Sequence, residues 1–315
     1  MIVTPVTVRV PAKVNLQLAV GPLRADGYHE LVTVFHAVSL FDEVTVRPAD
    51  RTSVRVSGAE AAAVPAGGAN LAVRAAAALA RAARPRGASS AVAIEIRKRI
   101  PVAGGLAGGS ADAAAALVAC NELWQAGLSA AELGAVAAGV GSDVAFALLG
   151  GTAVGRGRGE QLTVALAAGT YHWVLAFSSG GLSTPDVYAA CDRLRAARAA
   201  GLAAGAPAPR LSTELMVALR SADPAAVGPL LSNDLQPAAL SLRPELRRTL
   251  AAGRELGAVG AMVSGSGPTC AFLATDARHA RDLAVSLTGA GVCRGVAGCR
   301  GPVHGATVIP AAEHG

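Results

Sequence analysis

Residues 100–117 read IPVAGGLAGGSADAAAAL. Four glycines, Gly104, Gly105, Gly108 and Gly109, stand just ahead of a run of alanines. A turn needs one or two glycines; four imply a close approach to the backbone. The preceding AVAIEIRKRI (91–100) alternates like a strand, and afterwards Ala113, Ala116, Leu117, Cys120 and Trp124 recur at helical spacing, with Gly127 as a stop. A glycine-rich turn that opens a helix, here near Ser110, presents free N–H groups in one direction. The aligned peptide dipoles add about half a positive charge there, so phosphate binds such an end readily. The letters complete neither familiar nucleotide pattern. Gly104 and Gly109 fit G-x-x-x-x-G-K-[ST], but Ser110 stands where the lysine belongs, and G-x-G-x-x-G is absent. Alone, the stretch is either a phosphate-binding loop or a tight packing turn.

The chain of 315 residues is long enough for two domains of ordinary size. Hydrophobic residues make up 52%, much of it alanine, and aromatics only 3%, so aliphatic packing must dominate the core. A net charge of +6 suits anionic ligands, but it is scattered without a basic block or an aromatic stripe. Nucleic acid is therefore not an expected partner. Five cysteines without metal-type spacing read as reduced and cytosolic. The N-terminus MIVTPVTVRV lacks a signal-peptide pattern. The uncharged stretches 161–185 and 256–275 are broken by glycines and polar residues and do not read as membrane spans. These features predict a cytoplasmic protein, a monomer or weak homodimer, with no membrane association.

Alternation predicts strands at VTVRV, VNLQLAV, DEVTVR, SVRVSG and HWVLAFS. Asn70 is placed to cap a helix over 71–83 and Ser129 the next short helix, and GSDVAFALLGGTAVG reads as turn, helix and strand. A domain boundary is expected near residue 165, dividing the chain into 1–165 and 166–315. The second half reads as helices near 185–199, 212–221 and 243–256 and strands near 260–263, 269–274 and 291–297. The Ala/Gly/Pro segment AARAAGLAAGAPAPR (196–210) reads as a linker, and the tail VHGATVIPAAEHG (303–315) is expected to fray. No internal repeat is visible.

Two further stretches bear on the glycines: VPAKVNLQLAVGPLRADGYHELVTVFHAVSLFDEVTV (10–46) and MVSGSGPTCAFLA (262–274). With the 100–117 stretch they resemble the three motifs of the GHMP kinases, a family of small-molecule kinases. The resemblance implies a two-domain α+β fold with the active site in the cleft between domains. It assigns ATP to Pro101, Val102, Ala103, Gly104, Gly105, Leu106, Ala107, Gly108, Gly109, Ser110 and Ala111, with Mg²⁺ accompanying ATP. The family's loop usually runs Gly-Leu-Gly-Gly-Gly-Ser, whereas this chain has GLAGGS. Ala107 fits if that position needs no positive φ. Read alone, Ser110 is either an N-cap or a phosphate or Mg²⁺ ligand, and Asp143 in GSDVAF is most simply a cap or turn residue. In the family, the aspartate matching Asp143 is the catalytic base, and the lysine matching Lys13 keeps it ionised.

PAKVNL followed by DGYHEL implies, within the family, a cytidine diphosphate substrate. Tyr28, otherwise a surface tyrosine after a turn, would stack on cytosine, and His29 would hydrogen-bond its edge. In GLSTPDVY (181–188), Thr184 would contact substrate and Tyr188 would stack on the opposite face. Asn15 is a further expected substrate contact. The six histidines show no metal-ligand spacing, so no resident metal is expected. Rival readings are a GHMP kinase for homoserine, mevalonate or a sugar, a nucleotide-binding regulator without catalysis, and a nucleic-acid binder.

Overall fold

A computed structural model of the chain describes residues 4–83, 90–199 and 208–310. The first half runs β1 (Val6–Leu23), β2 (His29–Pro48), β3 (Ser53–Ser57), α1 (Leu71–Ala83), β4 (Val92–Arg97), α2 (Gly108–Leu123), α3 (Ala130–Val140), α4 (Ser142–Leu149), β5 (Thr152–Gly157) and β6 (Gln161–Val164). The second runs β7 (Tyr171–Phe177), α5 (Thr184–Ala199), α6 (Thr213–Ala218), α7 (Pro224–Val227), β8 (Ser232–Asn233), α8 (Gln236–Leu242), α9 (Leu246–Glu255), β9 (Gly260–Val263), β10 (Cys270–Ala274), α10 (Ala277–Gly289), β11 (Gly295–Gly301) and β12 (Thr307–Ile309).

These strands form two sheets. The larger has the order β12-β1-β2-β4-β3, with β5 and then β6 added on β2, and β8 on β1; the smaller has the order β11-β7-β10-β9. Local chemistry sets the helix starts. Asn70 Oδ1 accepts from the Ala72 N–H at 2.9 Å. Ser129 and Glu132 form a reciprocal capping box on α3, and Asp276 accepts two N–H groups at the start of α10.

The alanine run has a packing reason. α2 touches α1, α3, α4, β1 and β2, and Ala113–Leu117 are all buried. A helix surrounded on all sides needs small side chains to let its neighbours approach. β7 joins two cores by alternation: Tyr171, Trp173 and Leu175 enter the first, while Val174 and Ala176 enter the second with Phe272, Leu283 and Leu287.

Two expectations need correction. VTVRV and VNLQLAV are one continuous strand, β1, which absorbs an irregularity between Pro11 and Ala12 in its pairing with β2. The tail does not simply fray: Thr307–Ile309 pair with Arg9–Thr7 of β1, while 311–315 lie outside the described residues. Most of the 196–210 linker, residues 200–207, also lies outside them.

His36 sits where the sheets meet. Its Nδ1 is 2.8 Å from Thr152 Oγ1, and its ring contacts Tyr171 and Trp173 at centroid distances of 5.8 and 6.0 Å. Burial pushes its pKa down to about 3, partly opposed by the Gly301 backbone. The unfolded chain takes up this proton near pH ~6.5. The stabilising contribution is therefore complete above ~6.5 and is lost as pH falls toward about 3. Between about pH 6 and pH 4 the unfolding free energy should fall more steeply in wild type than in His36→Gln, by up to ~1.4 kcal/mol per pH unit. Urea titrations giving parallel slopes would remove His36 as the cause.

Candidate active site

Lys13 lies mid-strand in β1, yet it is only 6% exposed. Its Nζ donates to Asn15 Oδ1 at 2.6 Å and to the Gly105 carbonyl at 3.1 Å. Asp143 Oδ2 is 4.0 Å away. Burial lowers the Lys13 pKa, and the Asp143 carboxylate offsets part of that shift. Asp143 lies in the first turn of α4, where a carboxylate is favoured by the helix dipole. Asn15 Nδ2 donates to Thr33 Oγ1, which donates to the Gln17 carbonyl. Asn15 lines the cavity, but its amide is also part of the scaffold that aims the ammonium.

The glycine loop interlocks with the second glycine-serine turn. Ser264 Oγ donates to the Gly105 carbonyl at 3.1 Å, and the Thr269 N–H to that of Gly104 at 3.3 Å. Gly105 has φ +76°, and a Cβ there would lie 2.1 Å from the Ser264 carbonyl oxygen. At Gly108 a Cβ would meet Lys98 Nζ at 2.9 Å, whereas at Gly109 it would meet only Leu71, at an ordinary 3.5 Å. Gly105 and Gly108 thus have packing reasons to be glycine, and Gly109 has none. The helix begins at Gly108, earlier than expected. Its cap residue is Ala107, which makes no side-chain capping bond, so Ser110 is not the N-cap. Ala107 adopts φ 60° and ψ 31°, so the position that is glycine in the family's loop is left-handed here. An alanine there costs about 1–2 kcal/mol.

A cavity of about 720 Å³ collects these elements. Lys13, Asn15, Tyr28, His29, Asp143, Thr184 and Tyr188 all line it. Of the eleven loop residues, Ala103, Gly104, Gly105, Ala107, Gly108, Gly109 and Ser110 line it. Pro101, Val102, Leu106 and Ala111 do not; Leu106 and Ala111 are core residues and the Val102 N–H is taken by Glu60 Oε2 at 2.6 Å. The first intrahelical bond of α2 runs from the Ala111 N–H to the Ala107 carbonyl. The earlier N–H groups of its first turn therefore remain available to a ligand.

On the opposite wall, Tyr28 is 54% exposed, with the Arg158 guanidinium 4.8 Å from its ring centre. Tyr188 stacks on His29 at 5.0 Å, and Thr184 Oγ1 is 2.9 Å from Ser266 Oγ. Burial, then the nearby Asp143 carboxylate, raise the Tyr188 phenol above its ordinary value. Sequence reasoning missed Arg158, Asp192 and Ser266, which also line the cavity. A signal for Asp192 existed: Thr184, Tyr188 and Asp192 are spaced by four along α5 and so share one face. Arg158, in the turn after β5, carried none.

Comparison with known proteins agrees with this geometry. Residues 70–151 match the GHMP kinases N terminal domain and residues 215–292 the GHMP kinases C terminal. The 4-diphosphocytidyl-2-C-methyl-D-erythritol kinase of Mycolicibacterium smegmatis is 59% identical over 306 residues, covering 97% of this chain and 93% of its own length. A crystal structure of 4-(cytidine 5'-diphospho)-2C-methyl-D-erythritol kinase superposes with a TM-score of 0.72 at 36% identity, covering 93% of this chain and 98% of that one. A homoserine kinase from Cytophaga hutchinsonii shares the fold, with a TM-score of 0.70 at 21% identity over 97% of each chain. With three separated motifs meeting at one cavity and identity extending over nearly the whole length, the chain belongs to the GHMP kinase family.

Proposed function

We propose that this protein transfers the γ-phosphoryl group of ATP to the 2-hydroxyl of 4-diphosphocytidyl-2-C-methyl-D-erythritol, a step of the non-mevalonate isoprenoid pathway. The observation that carries the reading is the Lys13–Asp143 pair at 4.0 Å, set between the open end of α2 and the Tyr28, His29, Thr184 and Tyr188 wall of one cavity. Phosphoryl transfer needs positioning and charge neutralisation more than covalent help. The first-turn N–H groups of α2 receive the phosphates. Asp143 accepts the proton of the attacking hydroxyl. The Lys13 ammonium, held by Asn15 and the Gly105 carbonyl, favours the ionised carboxylate and stabilises charge on the attacking oxygen.

Mg²⁺ would arrive with ATP. The Ser110 hydroxyl and the half-open Asp143 carboxylate are hard oxygen donors of the kind that ion takes. On the acceptor side, Tyr28 and Tyr188 offer ring faces to a base and His29 a polar edge. Soluble phosphorylated reactants suit a cytoplasmic enzyme, and no step calls for a second subunit.

Asp143→Asn should retain ATP affinity and lose about 10²- to 10⁴-fold in kcat. A folded variant with near-normal turnover would dismiss Asp143 as the base. Gly109→Ala should fold normally, since its Cβ meets only Leu71 at 3.5 Å. Any added bulk there faces the ligand, so calorimetry should show ATP binding weakened by about tenfold or more; unchanged affinity would leave the loop a packing device. Tyr188→Ala should raise KM for the cytidine substrate by roughly 5- to 150-fold and spare ATP, because base–aromatic stacking contributes about 1–3 kcal/mol. A substrate panel that includes homoserine and mevalonate tests the assignment itself: efficient turnover of either, with none of the cytidine compound, would overturn it.

A further inference from the structure

The cavity contains a contact that neither the phosphoryl chemistry nor the stacking requires. His29, 7% exposed, places Nε2 3.0 Å from Asp192 Oδ1. Asp192 lies on α5, four residues beyond Tyr188, and lines the same cavity. A carboxylate only accepts hydrogen bonds, so in this pair Nε2 carries the hydrogen. In the neutral ring Nδ1 is then an acceptor. Nδ1 has no hydrogen-bond partner among the described residues and is not one of the sealed, unpaired buried atoms. It is the ring nitrogen left for a ligand. Tyr188, stacked at 5.0 Å with a 30° interplanar angle, holds the ring against rotation.

Building on the cytidine reading of this cavity, we propose that Asp192 is a positioning residue for base choice. It fixes His29 as the Nε2–H tautomer, so that Nδ1 offers a lone pair to the exocyclic amino group of cytosine. Uracil carries a carbonyl oxygen at that position, and two acceptors would then face each other without a hydrogen. A site arranged for one hydrogen bond rejects the analogue that cannot make it, because a buried polar atom is left unpaired.

Asp192→Asn tests this. Its amide can turn an NH₂ toward Nε2, which moves the ring hydrogen to Nδ1. The variant should lose about tenfold in kcat/KM on the cytidine substrate, the value of roughly one hydrogen bond. The loss should fall on KM rather than kcat, with ATP affinity unaltered. Turnover of the matching uridine substrate should rise, so the cytidine-to-uridine ratio collapses, and Asp192→Glu should restore much of it. In wild type at about pH 8, ¹⁵N NMR should show His29 with a protonated Nε2 and a bare Nδ1. A dominant Nδ1–H tautomer in wild type, or a folded Asp192→Asn with an unchanged base ratio, would overturn the proposal. If wild type turns over neither substrate, the cytidine reading fails and base choice fails with it; the NMR result, read on the free protein, tells that failure from a wrong tautomer.

Discussion

The carbonyl oxygen of Gly105 is where the site is joined. It accepts from the Lys13 ammonium and from the Ser264 hydroxyl, each at 3.1 Å. β1, the glycine loop and the turn before β10 therefore share one atom. Neighbouring carbonyls are committed in the same direction: that of Ala103 to the Leu182 N–H, Gly104 to Thr269 and Leu106 to Lys13. Backbone groups that are withdrawn from water need partners. With its acceptors pinned inward, the loop keeps its donors for the cavity. The glycine at 105 follows from this constraint, because a Cβ there would collide with the Ser264 carbonyl.

Lys13 shows how a buried charge is made useful. Isolation from water disfavours the ammonium and lowers its pKa. The Asn15 carbonyl, the Gly105 carbonyl and the Asp143 carboxylate replace the lost hydration from three directions. Asn15 comes from the same strand as Lys13, while Gly105 and Asp143 come from the glycine loop and α4, so the charge is stabilised only when β1, the loop and α4 are packed together. Asp143 has no other ion-pair or hydrogen-bond partner among the described residues. Its carboxylate is thereby left open to the cavity.

Much of this was legible in the sequence because local chemistry decided it. Asn70 and Ser129 sit at helix starts as their side chains require, and the glycine run marked the loop. The interruption read between VTVRV and VNLQLAV failed because tertiary pairing with β2 carries β1 through Pro11 as a bulge. Ser110 read as either a cap or a ligand, and the cap alternative falls because the helix starts earlier, after the left-handed Ala107. Arg158 and the partnership of Asp192 with His29 depend on long-range folding: those two residues are 163 positions apart. Helical spacing placed Asp192 beside Tyr188, but no local rule named its partner.

The end of α2 also rests on a buried charge cluster that no motif advertised. Lys98 Nζ donates to Asp42 Oδ2 at 2.6 Å and to Asp112 Oδ2 at 2.9 Å. Asp42 Oδ1 accepts the Arg99 and Ile100 N–H groups, which pins the chain as it leaves β4 for the glycine loop. Asp112 Oδ1 has no hydrogen-bond partner among the described residues, and burial drives this carboxyl well above the usual range despite Lys98. With Asp112 neutral, Lys98 and Asp42 balance. An ionised Asp112, buried at the start of α2, would instead weaken the pull of the helix dipole on any other anion. Lys98 presses close beneath Gly108, so the side chain that holds Asp42 and Asp112 also supports the start of α2.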